Sequence, residues 1–148
     1  MSEENKDIVR RIPEELYNEG NLNVADEVLA ADYVEHFPLP PGWPSGLEGL
    51  KQFITVLRAA FPDFRYTVED EIAEGEKVVI RLTASGTHRG EFIGIPPTGN
   101  QATWTEIHVC RIADGRLVEH WANLDQLGMM QQLGVIPPPG QSEEASPT

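Results

Sequence analysis

Cysteine occurs once in the 148 residues, at Cys110, so no disulfide can staple the chain and no cysteine pair has metal-ligand spacing. Basic residues are scarce: 11 Lys and Arg stand against 24 Asp and Glu, a net charge of −13. A surface this acidic repels phosphate backbones and anionic headgroups, which excludes nucleic acid and membrane as expected partners. Long hydrophobic runs are also missing. No stretch approaches the ~18 apolar residues of a membrane span, and the opening MSEENKDIVRR is charged where a signal peptide needs an apolar run. These absences describe an expected soluble, cytoplasmic protein. With 40% hydrophobic residues the chain can bury one core. One domain is expected over residues 1–136, with a Pro- and Glu-rich disordered tail over 137–148.

What is present is a change of period. Ile8, Ile12 and Leu16 recur every four residues beside Val9 and Tyr17, which predicts a helix over about 4–18 with a kink or restart at Pro13. Asn23 is placed to cap a short second helix with Val24 and Val28 inward. Tyr33 to Phe37 reads as extended, and PLPPGWPSG precludes regular structure until about Gly46. Leu47, Leu50, Ile54, Leu57 and Phe61 then step by three and four, and Pro62 ends that helix. From Phe64 the period becomes two: Phe64, Tyr66, Val68 and Ile72 largely alternate, Glu74-Gly75-Glu76 turns, and Val78 to Thr87 is β-branched and Thr-rich. Helices followed by strands predict an α+β domain with the helices packed on one face of a curved antiparallel sheet.

Asp114-Gly115 predicts a two-residue primed hairpin. Regular pairing from that turn sets Ala113 against Arg116, Ile112 against Leu117, Cys110 against Glu119, His108 against Trp121 and Glu106 against Asn123. Trp104 shares their face, which is apolar near the turn and polar and aromatic away from it, as a ligand cavity is lined. Trp104, Glu106, His108 and Trp121 are therefore assigned to a cavity. The opposite face, with His120 and Ala122, is assigned to the surface or to a subunit interface, giving a homodimer or higher homo-oligomer through the sheet.

Glu106 and His108, two apart on one strand, project the same way about 7 Å apart, close enough for one substrate or one water to contact both. A histidine beside a carboxylate suits proton transfer. His36, before the Pro loop, is a candidate at the cavity mouth. Asp125 reads either as the N-cap of a last helix or as a catalytic carboxylate. Phe53, Leu57 and Phe92 are candidate substrate contacts, Trp43 either a lid or a packing residue, and His88 a surface or interface residue. The four histidines lack chelate spacing, so neither metal nor cofactor is expected.

Gly94-Ile95-Pro96-Pro97-Thr98, Ile107-His108, Arg111-Ile112 before the Asp114-Gly115 turn, and Gln132-Leu133-Gly134 together resemble the SnoaL-like polyketide cyclase family. The resemblance runs from Ile8 to Gly134 and implies a cone-shaped α+β barrel. It also implies proton abstraction next to a carbonyl by an aspartate, followed by intramolecular aldol ring closure. The family's strand histidine and the polar residue two before it fall on His108 and Glu106; its catalytic aspartate falls on Ala122. A bulge in the Trp121-Ala122-Asn123 segment is expected if that position is to face the cavity, and Asp125, Glu119 or Glu106 is open as a substitute base. The function implied is cofactor-free acid–base chemistry of cyclase, isomerase or lyase type on a small apolar carbonyl-bearing molecule. Non-catalytic binding of such a molecule, and a protein-interaction domain with its cavity filled by Phe61 and Phe92, are the alternatives.

Overall fold

The computed structural model describes residues 2–137 and 140; the expected disordered tail lies almost wholly outside the described residues. Helix α1 (Ser2–Arg11) runs into a π-helical segment, Ile12–Tyr17. Pro13 has no N–H to contribute, and its carbonyl accepts from the Asn18 N–H five residues on, at 3.0 Å. The helix widens at the proline where the sequence predicted a kink or restart. Helix α2 (Asn23–Val28) buries Val24, Ala25 and Val28, but Asn23 lies inside it and caps nothing. The carbonyls of Asn21 and Leu22 already accept from Val24 and Ala25 at 3.1 Å, so the first turn needs no side-chain cap.

Strand β1 (Leu29–Glu35) starts four residues before the extended segment read from the sequence. After the Pro loop, α3 (Gly46–Ala60) buries Ile54 and Leu57, as its spacing predicted, and Ala60 with them. Strands β2 (Arg65–Glu74), β3 (Lys77–Thr87), β4 (Gln101–Ala113) and β5 (Arg116–Leu124) follow, and α4 (Gln126–Leu133) closes the domain. The sheet order is β1-β5-β4-β3-β2. Four strands are antiparallel, and β1 joins beside β5 in parallel, which corrects the expectation of a wholly antiparallel sheet. The result is an α+β domain with the helices on the concave side of a curved, unclosed sheet. Its core lies between Leu16, Val24, Ile54 and Phe61 of the helical layer and Val78, Ile80, Ile112 and Leu117 of the sheet. Among the described residues no helix is long and apolar enough to cross a membrane.

One packing constraint holds the Pro loop against α3. Gly49 is buried, and a Cβ there would run into the carbonyl oxygen of Pro44. Gly49→Ala therefore sets a helix-propensity gain of about 1 kcal/mol against overpacking of about 1–3 kcal/mol on an unyielding backbone atom. The clash is expected to win, so Gly49→Ala should lower the melting temperature by several degrees; a rise would show that the loop is free to move away.

Asp114 and Gly115 take φ of 51° and 76°, the primed turn predicted from their chemistry. Beyond it the pairing departs from the regular ladder. Ile112 faces Leu117 but Arg111 faces Glu119, which leaves Val118 as the extra residue of a bulge. From there every register moves by one: Cys110 pairs with His120, Val109 with Trp121, His108 with Ala122 and Glu106 with Leu124. The bulge lies three residues earlier than expected. It reverses the facing of the return strand beyond Val118, because side chains alternate with a period of two.

Candidate functional site

That reversal sends His120, Ala122 and Leu124 into a cavity of about 330 Å³ between the sheet, α3 and α4. Leu50, Phe53 and Leu57 of α3 form one wall, and Phe37, Leu39 and Pro40 from the Pro loop form part of another. Phe92, Ile93 and Ile95 enter from the β3–β4 connection, and Met129 and Met130 from α4. The volume lies within the usual range of about 300–1,000 Å³ for small-molecule sites, and the lining is largely apolar. Phe92 borders the space and Phe61 is fully buried beneath it, stacked on His88, so the cavity is not filled by these rings as an interaction domain would require. Ile93 has φ of 45°, an outlier for a β-branched residue, in a tight turn closed by Phe92 N–H and Ile95 C=O at 2.9 Å. Such strain persists only where the surroundings over-determine it. Here it holds an aliphatic side chain against the cavity.

Besides Tyr17 and Gln126, the polar side chains of the wall form a continuous chain. Glu106 is 3% exposed and accepts from the Tyr66 hydroxyl at 2.6 Å and the Trp104 indole at 2.7 Å. Its Oε1 is 2.8 Å from His108 Nε2. His108 Nδ1 is 2.7 Å from His120 Nε2, and His120 Nδ1 is 2.6 Å from Glu35 Oε2. Glu35 also accepts from the Phe37 N–H at 3.1 Å and the Tyr33 hydroxyl at 3.2 Å. Burial and the charge of Glu106 hold the Tyr66 phenol well above its ordinary range, and burial with Glu35 does the same for Tyr33. Both tyrosines are thereby kept as donors.

A proton count follows from this geometry. The three gaps from Glu106 to His108, His108 to His120 and His120 to Glu35 each need one proton to be a hydrogen bond. Two neutral imidazoles supply two. A third proton, shared along the chain, makes the four groups together a monoanion. Short, charge-assisted bonds are the strong kind and polarise one another. The imidazole nitrogens point at each other and not at a common centre. Among the described residues no group of three or more His, Cys, Asp or Glu converges on a metal position.

Of the residues assigned from sequence, Glu106, His108, Trp104, Phe53, Leu57 and Phe92 line this cavity. Trp121 does not: the Val118 bulge turns it to the outer face, in register with Val109, which pairs in turn with Val79 and Ile72. His36 follows it there, stacked on the Trp121 ring at 4.9 Å and bonded to Glu119 at 2.7 Å, away from the cavity mouth. The His36 and Arg111 bonds to Glu119 hold its carboxyl below the usual range on that outer face, so it is no cavity base. Asp125 is exposed and accepts from the Gly128 N–H at 2.9 Å; it is the N-cap of α4 and lies outside the cavity lining. Trp43 is half-buried and does not line the cavity. His88, read as a surface or interface residue, is fully buried with Nδ1 3.1 Å from the Thr98 hydroxyl, across the β3–β4 connection.

His120, Glu35 and Tyr66 were not found from sequence. The bulge hid His120. Glu35 reaches the site only because β1 pairs with β5, setting Glu35 beside His120, and no local pattern announces a pairing across 85 residues. Tyr66 reads as an ordinary inward strand residue.

The chain matches the family described as SnoaL-like polyketide cyclase over residues 7–133. It is 31% identical to nogalonic acid methyl ester cyclase of Streptomyces nogalater over 119 residues, covering 80% of this chain and 89% of the relative. It is 34% identical to aklanonic acid methyl ester cyclase DnrD of Streptomyces peucetius over 134 residues, covering 86% and 89%. Among solved structures, TsrD from Streptomyces laurentii superposes with a TM-score of 0.83 at 29% identity, covering 92% of this chain and 98% of that one. IdmH from Streptomyces antibioticus does so with 0.76 at 38% identity, covering 88% and 99%. Fold and sequence agree over nearly the whole described length, and the chain belongs to the SnoaL-like polyketide cyclase family.

Proposed function

We propose that this protein is a cofactor-free acid–base enzyme that moves a proton within a small, apolar, carbonyl-bearing molecule held in the cavity. The observation that carries this reading is the hydrogen-bonded chain Glu106–His108–His120–Glu35 set into a largely apolar wall. Ring closure of the aldol type needs a proton removed from carbon and one delivered to oxygen. A cluster holding one proton beyond two neutral imidazoles can do both without a cofactor. The aromatic and aliphatic walls select an apolar skeleton and exclude water from the charge shift. We also propose that the outer sheet face, where Ile72 is 60% and Ile107 49% exposed, is covered by a second copy of the chain.

The second reading, ligand binding without turnover, is favoured by Ala122, which lines the cavity at the position where the resemblance places the family's catalytic aspartate. Aklanonic acid methyl ester and nogalonic acid methyl ester, the compounds in the relatives' names, separate the two. The acid–base reading expects conversion of one of them to a product of unchanged mass and altered retention. His108→Gln should lower that turnover by about 100-fold or more with binding retained. Binding without conversion would establish the second reading, and equal turnover by His108→Gln would remove the cluster from the chemistry.

A further inference from the structure

Every nitrogen and oxygen of the cluster is engaged, but not equally. Both oxygens of Glu106 accept short bonds from three donors, and its side chain is 2% exposed. Both nitrogens of His108 and both of His120 are bonded within the chain. Of these atoms only Glu106 Oε2, which accepts from the Trp104 indole alone, has room for a second bond, and burial of its side chain shuts it off from a ligand. Glu35 differs. Its Oε2 takes the His120 and Phe37 bonds, while Oε1 has only the Tyr33 hydroxyl, at 3.2 Å the longest contact in the cluster. An ionised carboxylate oxygen accepts two bonds, so Oε1 keeps an open acceptor site on a residue that lines the cavity and is 16% exposed.

From this asymmetry we propose that Glu35 is the residue that removes the proton from carbon, in place of the aspartate missing at Ala122, with His120, His108 and Glu106 as its positioning and charge-balancing chain. The proposal rests on the acid–base reading above and names its reacting atom. Glu35 lies across from His120 on the neighbouring strand, and Ala122 is two residues further along β5, about 7 Å away, so both positions address the same part of the cavity.

The step balances. The C–H bond next to the carbonyl breaks, its proton bonds to Glu35 Oε1, and its electron pair moves into the carbonyl to form an enolate. The negative charge thus passes from Glu35 to the ligand oxygen while the proton shared along the chain stays beside it. No net charge is created in the apolar cavity, which would be the costly event. In ring closure the enolate carbon bonds to a second carbonyl carbon, and the resulting alkoxide takes the proton back from Glu35.

Exchange of the C–H groups next to the carbonyl of α-tetralone in D2O, followed by proton NMR, tests the abstraction step with a probe that cannot cyclise. The wild-type protein should accelerate exchange over buffer. Glu35→Gln keeps an acceptor for His120 and the Phe37 N–H and sets its NH2 group beside the Tyr33 hydroxyl, which can turn to accept, and it should slow catalysed exchange by about 100-fold at nearly unchanged melting temperature. Adding Ala122→Asp to that variant should recover at least about tenfold, since a carboxylate in this part of the cavity is then what was lacking. Exchange by Glu35→Gln at the wild-type rate would overturn the role of Glu35 and leave the acid–base reading standing. Loss that Ala122→Asp does not recover would also overturn it. No acceleration by the wild type would overturn both.

Discussion

His120→Ala is expected to lower turnover by about 10²- to 10⁴-fold, the usual contribution of a positioned acid–base group. Trp121→Ala, one residue away, is expected to leave turnover within about threefold of wild type, as a surface substitution does. In a regular hairpin from Asp114-Gly115 the expectations would be reversed, because Trp121 would face His108 across the cavity side. The Val118 bulge instead sets His120 against Cys110 and within 2.7 Å of His108, and sends Trp121 to the outer face against His36. Removing His120 cuts the chain between His108 and Glu35 and leaves a nitrogen of one and an oxygen of the other without their partner. Removing Trp121 forfeits an aromatic stack worth about 0.5–1.5 kcal/mol and touches nothing in the cavity. Steady-state kinetics of the two variants on whichever methyl ester proves to be converted, with thermal unfolding as a control, measures the contrast. Loss of turnover in Trp121→Ala with retention in His120→Ala would mean that the strand runs in the regular register.

Glu106→Ala is expected to be the most destabilising single change in the site. It strands the Tyr66 hydroxyl, the Trp104 indole N–H and His108 Nε2, all buried or nearly so. It also removes the negative partner of the histidine pair. Breaking a buried charged pair costs about 3–5 kcal/mol. At roughly 2–4 °C per kcal/mol for a chain of this size, the melting temperature should fall by about 10 °C. Glu106→Gln discriminates between size and charge. Its oxygen can still accept from Tyr66 and His108, but its NH2 group then faces the Trp104 N–H, donor against donor. An intermediate loss is therefore expected. Circular dichroism melts of the three proteins decide the matter, and a fall of only a degree or two in Glu106→Ala would mean that water replaces the carboxylate among these donors.

Both predictions turn on residues whose placement was legible to different degrees. Glu106 and His108 were found together because residues two apart on one strand must share a face, whatever happens elsewhere. The turn at Asp114-Gly115 was legible because a primed turn needs positive φ at both positions, and this dipeptide tolerates it. Helix α3 was legible because its apolar residues repeat at helical spacing over four turns. Val118 carries no such mark: it is a good strand residue in a good strand, and nothing in its chemistry says that it is unpaired. The assignments of Trp121 and His36 to the cavity, and of His120 to the outside, all follow from counting through that residue as if the ladder were regular. Asp125 was legible as an N-cap, and the structure shows it capping α4, outside the cavity lining.

The α+β class, the strand carrying Glu106 and His108, and the apolar faces of the helices were specified by local chemistry, because period and turn conformation depend on residues a few positions apart. The identity of the working cluster came from contacts between distant segments. Glu35 meets His120 through the β1–β5 pairing, Tyr66 meets Glu106 across the curve of the sheet, and one bulged residue sets which half of β5 the cavity receives. Side-chain direction alternates residue by residue, so a single unpaired position reverses a face. Only the assembled sheet, with its inner face buried against α3, determines which of the two possible sites is built.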